Sequence, residues 1–157
     1  MNTNIESLYK AIATECAAQQ PEQWIKCILE YQSIERYAFS ELCFFITPKK
    51  KKYVDFDNSV LDSLESLRTE MAKINGGEAW YTAVFRLMPD GKYKFDFDYD
   101  SLPAFDIVPS PDKWIDEFKK YPRPELQAQI QDWLDSPYTY EMAEEIKQRL
   151  IDLQRAK

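Results

Sequence analysis

The chain reads as an α/β protein of the α+β type, a mostly antiparallel β-sheet packed with N-terminal, middle and C-terminal helices. Three observations predict this class. Aromatic residues recur at period two from Tyr93 to Tyr99, and apolar residues recur at three to four between Asn4 and Gln19 and again from Val60 to Ile74. Short turns join the strand-like stretches, which favours antiparallel hairpins over parallel crossovers. With 157 residues, 45% hydrophobic and 15% aromatic, the chain has material for one core but not for two, so a single domain spanning residues 1–157 is expected.

The first helix is predicted from Ile5, Leu8, Ile12 and Cys16, which form one stripe that must stop before Pro21. Trp24 to Gln32 and Arg36 to Ile46 are rich in Ile, Phe, Tyr and Leu and predict two strands joined around Ser33-Ile34-Glu35. The run Lys49 to Lys52 repels itself and suits an exposed loop, and Tyr53, Val54 and Phe56 predict a further short strand. A second helix is capped by Asp57, Asn58 or Ser59, buries Val60, Leu64, Leu67, Met71 and Ile74, and ends at Asn75-Gly76-Gly77. Strand residues return from Ala79 to Met88, Pro89-Asp90-Gly91 reverses the chain, and Lys92 to Tyr99 runs back beside them. The proline-punctuated tail predicts helices over Pro111 to Lys120, Pro124 to Leu134 and Tyr138 to Gln154. Trp133 joins Leu126 and Ile130 on one helical face and reads as core.

Charge and composition exclude several functions. A net charge of −7 disfavours nucleic acid and anionic membranes as partners and favours a basic macromolecule. There is no run of eighteen apolar residues and no signal-like leader, so the default location is cytoplasmic. Cys16, Cys27 and Cys43 lie among apolar neighbours without metal-ligand spacing and read as buried thiols. Histidine is absent, which removes the commonest neutral-pH base and metal ligand, and the three glycines match no phosphate-binding fingerprint.

Carboxylates are what remain. Asp96, Asp98 and Asp100 share one strand face about 7 Å apart, too far for a hard cation unless further oxygens come from Asp55, Asp57 or Asp106. Paired acids for glycoside hydrolysis would also need a cleft. Between Asp90 and Phe118 eight acids stand against three lysines, a local charge of −5 that suits encounter with a basic partner. A solvated strand face is the bland account of the same acids. Phe95 and Phe97 read as core, whereas Trp114, beside Asp112, Asp116 and Glu117, is a candidate interface anchor.

The hairpin WYTAVFRLMPDGKYKFDFDYD and the tail segment PSPDKWIDEFKKYPR resemble the YezG-like immunity proteins of bacterial polymorphic, contact-dependent toxin systems. The matching positions are Trp80, Asp90, Gly91, Phe97, Tyr99 and Asp100, and the resemblance extends loosely over most of the chain. It implies a small cytoplasmic antitoxin without cofactor or catalysis, whose partner is a toxin C-terminal domain, commonly a nuclease. The expected contact set, combining this with the charge pattern, is Asp96, Asp98, Asp100, Asp106, Trp114, Asp116 and Glu117. The alternative is a carboxylate-based hydrolase or metal-binding protein using Asp96, Asp98 and Asp100.

Overall fold

Five antiparallel strands and three helices form two layers in the computed structural model, which describes residues 3–35, 37–103, 111–126 and 128. The elements run α1 (Thr3–Ala17), β1 (Lys26–Ile34), β2 (Tyr37–Phe45), β3 (Lys51–Val54), α2 (Asn58–Ile74), β4 (Thr82–Leu87), β5 (Tyr93–Asp98) and α3 (Pro111–Lys120), followed by a 3-10 turn at Pro124–Leu126. The sheet order is β3-β2-β1-β4-β5, every neighbouring pair being antiparallel. This is the predicted fold class.

Strand alternation sorts side chains onto two faces. Cys27, Leu29 and Tyr31 of β1 turn inward and are buried, and their cross-strand partners Phe44 and Leu42 of β2 and Leu87, Phe85 and Ala83 of β4 join them. The inner face packs against Ile5, Ile12 and Cys16 of α1 and Val60, Leu64 and Leu67 of α2. The two helices also pack against each other.

Local chemistry sets the element ends. The α1 helix tightens through Gln19 N–H to Cys16 O and Gln20 N–H to Ala17 O before Pro21, which cannot donate. Asp57 caps α2 by accepting from the Ser59 amide, and at its far end the Gly77 amide returns to Ala72 O with Gly76 and Gly77 both at positive φ. In the β4–β5 hairpin the Met88 amide donates to Lys92 O and the Gly91 amide to Met88 O, with Gly91 at φ 88° and the Asp90 carboxylate accepting from the Lys92 amide. A three-residue loop of this kind needs a left-handed residue at its third position, which Gly91 provides.

Two expectations are corrected. Ile74 is 65% exposed, because in the last turn of α2 it is Ala72 that turns inward, against Ala79 and Tyr121. The lysine run is only half loop: Lys51 and Lys52 belong to β3, an edge strand on which exposed lysine discourages further pairing. Of the segment Pro124 to Leu134, Pro124–Leu126 form a 3-10 turn and Ala128 is helical; the rest of it, Trp133 included, and the segment Tyr138 to Gln154 lie outside the described residues.

Candidate functional site

The β5 strand meets its sequence reading closely. Tyr93, Phe95 and Phe97 lie on the inner face opposite Leu87, Phe85 and Ala83. Phe95 stacks on Tyr9 of α1 with centroids 4.5 Å apart, lies 4.8 Å from Phe85, and is followed by Phe97 at 5.7 Å with an interplanar angle of 4°. Phe97 in turn meets the buried Trp80 at 5.4 Å. Such ring pairs add about 0.5–1.5 kcal/mol beyond area burial. Phe95, Phe97 and Tyr99 thus complete the core, while Tyr93, at the open end, is 38% exposed.

The acids on the opposite face are already engaged. Asp96 accepts from Arg86 at 2.6 Å and lies 3.5 Å from Lys94 Nζ. Asp98 turns back on its own chain, accepting from the Asp100 and Ser101 amides at 2.9 Å, and so ends the strand. Asp100 lies 3.4 Å from Arg123, which also donates to Tyr99 O at 2.6 Å and pairs with Glu78 and Glu125. Arg123 therefore ties the chain after α3 to the end of β5. Among the described residues no group of three or more His, Cys, Asp or Glu side chains is arranged to hold a metal ion.

The expected contact residues of α3 divide. Asp116 is half-buried, but Trp114 and Glu117 are 0% exposed, so neither is presented on the surface as an anchor or a matching charge. Their physical reason is one network. Glu117 takes a two-pronged bond from Arg68 of α2 at 2.9 and 2.8 Å, and accepts from the Glu35 amide at 2.8 Å. Arg68, itself 2% exposed, also donates to Trp80 O at 2.6 Å. Burial pushes the Glu117 carboxyl up, and the Arg68 guanidinium with the Glu35 amide draws it back. The forked geometry keeps it a carboxylate facing an arginine that does not deprotonate. Trp114 packs with Phe118, centroids 5.6 Å apart, on the same buried side of α3. Asp106 lies outside the described residues.

Sequence reasoning missed this clasp. A signal exists: Arg68 falls four residues after Leu64 and four before Ala72, on the buried stripe of α2, where a cation requires a buried anion. Glu65, three residues earlier and half-buried, is a second charged group held by the sheet, accepting from the hydroxyls of Tyr31 and Ser33 on β1.

The outer face of the sheet carries charge in an ordered way. Cross-strand register aligns Lys51, Phe45 and Lys26 in one row, and Tyr53, Cys43, Ile28, Arg86 and Lys94 in the next. Then come Glu41, Glu30, Val84 and Asp96, and finally Phe39, Gln32, Thr82 and Asp98. Lys26 and Lys51 place their ammonium groups 4.3 and 5.1 Å from the Phe45 ring. One half of the face is basic and the other acidic. Beside the basic half, Pro21, Glu22, Gln23, Ile46 and Lys50–Lys52 line an open depression of about 610 Å³.

Cys16, Cys27 and Cys43 are buried and unbridged, as expected. Among the described residues no helix is long and apolar enough to cross a membrane. Compared with known protein families, the chain matches the one described as immunity protein YezG-like over residues 41–131. That span runs from within β2 through the 3-10 turn and contains Trp80, the β4–β5 hairpin and the Trp114 segment. No curated protein matches the chain.

Proposed function

The chain belongs to the YezG-like immunity protein family, and from that premise we propose that it neutralises a cognate toxin by stoichiometric binding, the toxin being a basic nuclease domain. The family match over residues 41–131 carries the immunity role. The nuclease reading rests on charge: an enzyme that grips nucleic acid presents positive surface, and a chain of net charge −7 is suited to cover it. The toxin is the C-terminal domain of a polymorphic, contact-dependent system, and binding takes place in the cytoplasm.

The contact set is Asp96, Asp98 and Asp100 at the acidic end of β5, Asp116 of α3, and Asp106. Trp114 and Glu117 support that surface from within. The acids act by long-range attraction and matching, so they govern association rate more than complex lifetime. The hydrolase reading of Asp96, Asp98 and Asp100 gains no support from carboxylates committed to Arg86, to backbone amides and to Arg123.

The test is co-purification with the product of the neighbouring gene, followed by titration of its nuclease activity. Activity should vanish near one equivalent; no complex and no protection of cells would overturn the proposal. Replacing Asp96, Asp98 and Asp100 together by Asn, which still caps turns, should slow association about tenfold at low salt and flatten its salt dependence. Unchanged kinetics would move the contact elsewhere, and turnover by the purified chain alone would favour the hydrolase.

A further inference from the structure

We infer that the outer face of the sheet is a docking surface for a second copy of this chain. The rows described above make that face self-complementary. Lys26, Lys51, Arg86 and Lys94 belong to its basic half, and Glu30, Glu41, Asp96 and Asp98 to its acidic half. A partner of one sign that spans the whole face, such as nucleic acid, is attracted by one half and repelled by the other. A second copy is not, provided it approaches by the right symmetry. The toxin of the proposed function meets only the acidic end and competes there with the second copy.

A two-fold axis running across the strands, between the Ile28 row and the Glu30 row, turns each basic half onto the acidic half of its mate. Position along the sheet is preserved, so the rows cross-match strand by strand. Lys94 meets the mate's Asp96, Ile28 meets the stem of Glu30, and Lys26, lying over the buried Phe45, comes beside Gln32. Sheets packed face to face keep their strands within about 30° of parallel, which this arrangement satisfies.

The surface has the materials and the size. Tyr53 is 59% and Met88 44% exposed, and Ile28 and Val84 are half-buried, so apolar contact lies among the charges. The sixteen residues of the four rows, each occupying about 4.8 by 6.8 Å, span about 520 Å². Two such faces bury about 1,040 Å², the size of a weak, reversible interface. A dimer of that size held largely by ion pairs is salt-sensitive.

Sedimentation velocity measures it directly. The wild-type chain of 18.6 kDa should sediment as a dimer at low salt and shift toward monomer at high salt. Lys94→Glu alone and Asp96→Lys alone should each weaken self-association about tenfold or more, because like charges then meet across the two-fold. Lys94 is 73% and Asp96 48% exposed, so neither change disturbs the core. Mixing the two variants should restore a dimer, since each then supplies the charge the other needs. Monomeric wild-type protein at every concentration, single variants that dimerise as wild type does, or a mixture that stays monomeric would each overturn the inference.

Discussion

Replacing Arg68 by Met separates the buried clasp from ordinary packing. The change removes both bonds to Glu117, at 2.9 and 2.8 Å, and the bond to Trp80 O. Glu117, 0% exposed, is left with the Glu35 amide as its remaining bond in the clasp. Breaking one partner of a buried pair costs about 3–5 kcal/mol, because the other charge stays desolvated without compensation. A chain of this size loses about 2–4 °C of Tm per kcal/mol, so melting should fall by about 10 °C. Replacing both residues, Arg68→Met with Glu117→Leu, removes the orphaned charge and should cost less than Arg68→Met alone. Urea unfolding followed by Trp fluorescence reads the four corners of this cycle. Additive losses, or a single-variant loss under about 1 kcal/mol, would refute the reasoning.

The remaining predictions concern the thiols, the alkaline range and the hairpin. Cys16, Cys27 and Cys43 are buried, and burial pushes all three thiols up, Cys27 to about 12, so a thiol reagent near neutral pH should label none in the native protein and three after denaturation. Burial likewise raises Tyr31 and Tyr81, so these groups ionise first in the unfolded chain. Stability should therefore be full below about pH 9 and fall as pH rises, Cys27 alone withdrawing about 1.4 kcal/mol per unit between its ordinary value and its folded one. Urea midpoints measured across the alkaline range check this, and a flat profile would contradict it. Gly91→Val places a branched side chain at φ 88° and should cost at least about 1–2 kcal/mol, with faster amide exchange confined to β4 and β5; exchange unchanged there would disprove the turn's role.

Periodicity made most of the fold legible. The aromatic run in β5, the apolar stripes of α1 and α2 and the Pro89-Asp90-Gly91 turn each follow from one local rule, and each lies where that rule predicts. The end of α2 did not, because whether Ile74 or Ala72 turns inward depends on what lies beyond the sheet's edge. The candidate site was harder to read. Charge patterning finds acids but not their partners: Glu117 belongs to Arg68, 49 residues away, and Asp100 to Arg123 on the far side of α3. Trp114 beside three acids suggested an exposed anchor, yet the helix rotates it and Glu117 to the same buried side.

The two faces of β5 also impose a parity on the hairpin. Odd-numbered positions from Tyr93 to Phe97 are committed to aromatic packing, whereas Lys92 pairs with Asp90, and Asp96 with Lys94 and Arg86, on the outer face. Substitution can therefore rewrite the even positions while the domain stays folded, which gives a lineage room to change what it recognises. Insertion or deletion cannot. Adding one residue inside β5 would turn the phenylalanines beyond it toward water and the aspartates beyond it toward the core, so diversification along this strand favours replacement at constant length.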